Sequence, residues 1–251
     1  MRIVHPKGGY TFLKGGFPYS AGAAAVEGHR IEHARFARPL PLARGFEAIG
    51  SHLDTIGRHK QALCGMELRS PKPFTYSGFG EFNKGYVEFL KAWQIHVDGI
   101  NPVARTNVAP ELNPPPEPSV YAFSYTVPGQ NVGPGFVISG AGELPDDARG
   151  PDRIVRRGDL SPAALLEKAR FVLGLIRGRM AELGVRWEQA TATGVYCVHD
   201  IYPLVRNEIL VAMGKGSDHA LAWHFARPPI EEIEFEMDAR GCVVENVLPS
   251  P

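Results

Sequence analysis

Neither sign of charge is in surplus in this chain of 251 residues, because Lys plus Arg and Asp plus Glu both number 27. No net field draws it toward nucleic acid or an anionic bilayer, so neither is expected as a partner. Cysteine is scarce. Cys64, Cys197 and Cys242 are odd in number and stand in no CxxC or His-rich spacing, which argues against a disulfide framework or a structural zinc and makes a reducing cytoplasm the expected location. No apolar run reaches the roughly 18 residues of a membrane span. The segment from Met1 to Gly9 also lacks the apolar centre of a signal peptide, so a soluble, unprocessed chain is expected. The His residues form no HExxH or other tight ligand set, and no catalytic metal is expected. A GxSxG elbow is missing as well, although composition alone leaves a Ser-His-Asp triad open.

Periodicity is plentiful. From Ser161 to Leu183, the residues Leu165, Leu166, Ala169, Val172, Leu173, Ile176, Met180 and Leu183 fall at spacings of three and four and predict one apolar helical stripe. Ser161 suits the N-cap, Pro162 the first turn and Gly184 the stop. Around this helix, Gly135 to Ser139, Ala190 to Val198, Ala220 to Phe225 and Ile233 to Met237 read as strands, and Ile201 to Met213 returns to helical spacing. The first half has the same order with more Gly and Pro. Strands are expected at Arg30 to Phe36, Ala62 to Leu68, Arg105 to Val108 and Ser119 to Val127, with helices at Gly45 to Gln61 and Phe82 to Trp93. Internal repetition accounts for the length, with a junction at Pro128 to Gly135 and units of 1–127 and 128–251. Each unit is then α+β, a mixed and mostly antiparallel sheet with two helices on one face. The alternating runs Tyr121, Phe123, Tyr125 and Leu221, Trp223, Phe225 are expected to pack the other face against another sheet.

Two short segments carry the chemistry, Ala104-Arg105-Thr106-Asn107-Val108 in the first unit and Glu234-Phe235-Glu236-Met237-Asp238-Ala239 in the second, each reading as half of one active site. With Pro18-Tyr19-Ser20, Asn83 within Glu81-Phe82-Asn83-Lys84-Gly85-Tyr86, and Pro102-Val103-Ala104-Arg105-Thr106 in the first copy, the chain resembles the RidA/YjgF family of imine and enamine deaminases. The second copy contributes Gly135-Phe136-Val137-Ile138-Ser139-Gly140, Val195-Tyr196-Cys197-Val198, Asn207, Pro228 and Glu234-Phe235-Glu236. The resemblance implies two chorismate-mutase-like domains in tandem, sites between copies, a homotrimer and no cofactor. It also implies an Arg that grips a substrate carboxylate and, a fixed distance further on, a Glu that directs water. Counting that distance from Arg105 reaches Val120, and counting it back from Glu234 reaches His219, so each copy keeps one member of the pair.

The guanidinium of Arg105 presents a planar fork of donors matched to a carboxylate, unless Glu111 or Glu117 holds it as a surface pair. Glu234, if it faces a cleft, becomes a proton shuttle whose pKa rises with burial; on an outward face it is a solvated acid. His219 is a candidate to replace the lost Arg, and Tyr19 a phenol donor or a packing anchor. Ser139 and Gly140 offer backbone N–H groups at a strand end, and Asn83 and Asn207 either bind substrate or bridge backbone. The resemblance implies a cofactor-independent deaminase hydrolysing an enamine or imine carboxylate, with a 2-aminomuconate-type dicarboxylate from aromatic-ring degradation as the specific expectation. The run Leu68-Arg69-Ser70-Pro71-Lys72-Pro73-Phe74 is similar to chorismatases and keeps vinyl-ether hydrolysis with release of pyruvate open, as does a non-catalytic ligand-binding role.

Overall fold

Three short strands that periodicity does not announce begin the chain: β1 (Arg2–His5), β2 (Tyr10–Leu13) and β3 (Gly22–Ala25). The first unit follows as β4 (His29–Pro41), α1 (Leu42–Thr55), β5 (Leu63–Arg69), α2 (Tyr76–Ala92), β6 (Ala104–Pro110) and β7 (Ser119–Pro128). The second runs β8 (Phe136–Gly142), α3 (Pro162–Leu183), β9 (Ala192–Tyr196), a broken helix over residues 202–213, β10 (Ala222–His224), β11 (Ala226–Arg227), β12 (Glu236–Gly241) and β13 (Glu245–Leu248). The computed structural model describes residues 1–129, 135–219 and 221–250, so most of the expected junction and the first residue of the expected strand at Ala220 lie outside the described residues.

Local chemistry sets the element ends. The Ser161 hydroxyl accepts the Ala164 N–H at 3.3 Å and starts α3, and Gly184 at φ 72° stops it in a conformation costly to a side chain. Helix α1 ends before the expected Gln61 because Gly57 turns the chain at φ 68°; Lys60–Ala62 is a separate 3-10 turn. Helix α2 starts earlier than its aromatic stripe suggests, where the Thr75 hydroxyl accepts the Gly78 N–H at 3.0 Å. The last expected helix is interrupted by a π turn over Val205–Ile209.

Two sheets result, one ordered β1-β2-β3-β8-β12-β9-β10 and the other β11-β6-β5-β7-β4-β13. Within them β4-β7-β5-β6 and β8-β12-β9-β10 pair in the same sequence, antiparallel, antiparallel, then parallel. The ends of the chain cross over. Strands β1 to β3 extend the sheet of the second unit, whereas β11 and β13 extend that of the first.

Helix α3 buries Leu165, Ala169, Val172, Leu173, Ile176, Met180 and Leu183 against Val195, Phe235, Met237 and Ala239. On the other sheet, Phe46, Ile49 and Leu53 of α1 and Tyr86, Val87 and Leu90 of α2 cover Leu63, Met66, Leu68, Val120, Phe123 and Tyr125. The sheets meet through their opposite faces, where an apolar cluster of Tyr10, Phe12, Ala23, Ile31 and Cys64 lies alongside small and polar residues. Gly65 lies beside Val137, Thr106 bonds Asp238, and Arg240 reaches Glu67 at 3.4 Å. Phe123 and Tyr125 therefore face helices, not the sister sheet, and Trp223 and Phe225 remain 41% and 52% exposed on the short last strands and the residue between them. No described helix is long and apolar enough to cross a membrane.

Candidate active site

Strand β6 holds Arg105 beneath α2, and its backbone N–H donates to Ser139 Oγ of the other sheet at 2.9 Å. The guanidinium lies among aromatic faces, 4.8 Å from the Tyr86 ring, 5.2 Å from Tyr19, 5.3 Å from Phe79 and 5.9 Å from Phe82. It is 4% exposed, burial lowers its pKa, and Nη1 finds no hydrogen-bond partner among the described residues. A buried cation held by ring quadrupoles, with an N–H still unpaired, is built to take an anion. Glu111, the surface partner weighed for Arg105, instead binds Arg227 at 2.6 and 3.0 Å.

A cavity of about 360 Å³ opens above that guanidinium. Its polar wall is Tyr19, Asn83, Arg105, Asn107, Asp146 and Glu236, and its apolar wall includes Phe17, Phe79, Leu144, Ile230 and Ile233. Two further buried atoms here lack a partner among the described residues, Asn83 Oδ1 and Asn107 Nδ2; the other end of the Asn107 amide accepts the Ser70 hydroxyl at 3.0 Å. The cavity thus presents unpaired donors on Arg105 and Asn107 and an unpaired acceptor on Asn83.

Glu236 is the acid that shares the cavity with Arg105. Alternation along β12 turns Met237 and Ala239 into the α3 core and Glu236, Asp238 and Arg240 toward the other sheet. At 4% exposure, burial and then the neighbouring Asp238 push the Glu236 carboxyl well above the ordinary carboxylate range, against the pull of Arg105 and Arg179. Gly140 runs so close that a Cβ there would collide with Glu236 Oε1. Thr106 fastens the two strands, its hydroxyl donating to Asp238 at 2.7 Å and accepting the Gly140 N–H at 3.2 Å. Behind them Arg179 of α3 donates to the Ser139 carbonyl at 2.9 Å and to both oxygens of Asp146 at 2.8 and 3.0 Å.

The expected site residues divide. Arg105, Tyr19, Asn83 and Gly140 line the cavity. Ser139 lies below it, where its hydroxyl donates to the Ser20 carbonyl at 2.5 Å and ties the sheets together. Glu234 is not in the cavity wall. Just ahead of β12, the backbone N–H groups of Glu234 and Phe235 both donate to the buried Glu143 carboxylate, at 2.7 and 3.0 Å, and Lys168 binds the same carboxylate at 3.0 Å. That turn sends the Glu234 side chain to His199, 2.7 Å away. His219 is exposed at the end of Gly214–His219, and Asn207 is exposed on the π turn, so within the chain neither reaches the cavity. Glu236, Asn107, Asp146 and Arg179 were not singled out as site residues. The alternation of polar Glu236, Asp238 and Arg240 with apolar Met237 and Ala239 was the available signal for the first. Among the described residues no three His, Cys, Asp or Glu side chains gather as metal ligands.

A buried carboxyl whose pKa is raised by burial, sharing a cavity with a guanidinium that keeps an unpaired N–H, suits acid–base chemistry on a small anion. The chain matches the family described as 2-aminomuconate deaminase CnbZ over residues 2–246, and it belongs to that family. It is 46% identical over 253 residues to the 2-amino-5-chloromuconate deaminase of Comamonas testosteroni, the match covering 98% of each chain. Among solved structures it is similar to a chorismatase, with a TM-score of 0.45 and 12% identity over 96% of this chain and 79% of that one. A cyanuric acid hydrolase from A. caulinodans gives a TM-score of 0.39 at 12% identity, over 85% and 66%.

Proposed function

We propose that this protein deaminates 2-aminomuconate, or a ring-substituted 2-aminomuconate, in the breakdown of aromatic compounds, without a cofactor. Membership of the deaminase family supports the substrate class. The observation that carries the mechanism is the convergence of Arg105 and Glu236 on one cavity. In this reading Arg105 and the Asn107 amide bind one substrate carboxylate. Protonated Glu236 gives its proton to the enamine carbon, leaving an iminium, and the resulting carboxylate takes a proton from the water that adds to the imine carbon. Returning that proton to nitrogen lets ammonia leave as the carbonyl forms, and the hydroxyl proton restores Glu236. Substrate plus water thus becomes 2-oxo acid plus ammonia, a hydrolytic deamination.

The same reading takes residues 1–127 and 128–251 as two RidA-like copies whose end strands have been exchanged, supported by the shared pairing order of the two sheets. It takes the working form as a homotrimer. Incubation of the purified chain with 2-aminomuconate tests the activity: stoichiometric ammonia is expected, whereas no ammonia, or pyruvate release from chorismate instead, overturns it.

A further inference from the structure

Asp146 is out of place in a cavity that takes a dicarboxylate. Its carboxylate lines the wall, and its side chain is 41% exposed, yet it is held in place by Arg179, whose side chain is 6% exposed. One nitrogen, Arg179 Nη2, satisfies both Asp146 oxygens from behind, at 2.8 and 3.0 Å, so each oxygen retains acceptor capacity. Through Nη1, Arg179 also grips the carbonyls of Ser139 and Gly140, at 2.9 and 3.3 Å, and so fixes Asp146 relative to the strand against which Glu236 rests. Tyr19, Arg105, Asp146 and Glu236 all line the same cavity. A fixed anion there repels both ends of a muconate. The one part of the substrate that becomes positive is its nitrogen, first as the iminium and then as the departing ammonium.

We propose that Asp146, fixed by Arg179, binds the substrate nitrogen and stabilises its cationic states, so that the cavity reads a carboxylate at Arg105 and an amine at Asp146. The proposal rests on the deaminase reading above. Each proton still moves through Glu236 and water: the iminium N–H donates to the Asp146 carboxylate, water adds at carbon, the nitrogen of the carbinolamine takes the Glu236 proton, and the C–N bond breaks with its electron pair leaving on ammonia. Asp146 itself transfers no proton. Its part is a preorganised negative charge where positive charge develops.

The test compares wild type, Asp146→Asn and Glu236→Gln in D2O, following ammonia release, deuterium entry at the substrate carbon, and binding of cis,cis-muconate, a dicarboxylate without nitrogen. Asn keeps the shape and one acceptor for Arg179 but removes the charge. Asp146→Asn is expected to release ammonia roughly 100-fold more slowly, to exchange carbon-bound hydrogen more slowly than wild type but still measurably, and to bind muconate as well as or better than wild type. Glu236→Gln is expected to lose exchange and release together. Asp146→Asn with wild-type turnover, with muconate binding weakened in step with 2-aminomuconate, or with exchange lost alongside release overturns the assignment. A wild-type chain that releases no ammonia removes the deaminase reading itself and this inference with it.

Discussion

Two glutamates two positions apart have opposite fates, and burial is the cause. Glu236 is closed in beside Arg105, Arg179 and Asp238, whereas Glu234 sits at a turn against His199. Glu236→Gln is therefore expected to cut kcat by roughly 10²- to 10⁴-fold with KM little changed, because the amide keeps the shape but has no proton to give. Glu234→Gln should keep turnover within a few-fold. Arg105→Ala should act mainly on binding, raising KM about 100-fold, and Arg105→Lys should not restore it, since a point charge cannot replace the planar fork. Steady-state kinetics of the four variants would separate these outcomes; equal losses at Glu234 and Glu236 would contradict the assignment. The pH profile carries its own sign. In the proposed mechanism the working form of Glu236 is the protonated acid, and its pKa is raised, so kcat should fall as pH rises through that pKa, above the ordinary carboxylate range. A kcat falling toward low pH, with an alkaline plateau, would point to a general base instead.

At the scale of elements, the two registers explain why counting along the chain missed the position that corresponds to Arg105. Gly65 on β5 pairs with Ala104 and Ser124, and Gly194 on β9 pairs with Ala222 and Asp238. Aligned on these glycines, Arg105 corresponds to Trp223, and Glu236 to Ala122. The connection between the paired strands differs in length in the two units, so a fixed count back from Glu234 reaches His219 where the register makes Trp223 the counterpart of Arg105. Helix α3 is simpler because its ends are local. Ser161→Ala should cost about 1 kcal/mol of stability through loss of the N-cap, measurable by urea denaturation, with activity unchanged. A cost near zero would mean that packing against the sheet alone fixes the start of α3.

Exchange of the end strands decides how the whole molecule behaves. Strands β1 to β3 precede the first unit but complete the sheet of the second, and β13 follows the second but pairs in parallel with β4 of the first. Expressed alone, residues 1–127 should expose both the unpaired N-terminal strands and the open edge of β4, and neither half should give a cooperative thermal transition until the two are mixed. A folded, monomeric 1–127 would show the crossover to be dispensable. The exposed rings of Trp223 and Phe225 give the expected homotrimer apolar surface to cover. Light scattering at micromolar concentration should return three times the chain mass, and a monomeric mass would exclude it.

What the sequence by itself determined was whatever follows from local periodicity and local capping. The stripe and caps of α3, the strand runs from β4 to β12 and their repeated order all lie within windows of a few residues, as does the fork of Arg105. The short strands β1 to β3 and β13 carry too few residues to show alternation, and their place depends on an edge supplied from the other half of the chain. The site was only half legible for the same reason. Arg105, Tyr19, Asn83 and Gly140 are recognisable by residue type and motif. Glu236 rather than Glu234 lines the cavity because Glu143, buried with Lys168, binds the backbone at Glu234 and Phe235 and so sets which side chain enters it. Arg179 and Asp146 meet there because α3 packs its buried Arg179 beneath the Ser139 and Gly140 carbonyls. Those contacts join residues distant in the chain, and only the packing of one sheet on the other, with α3 behind it, brings them together.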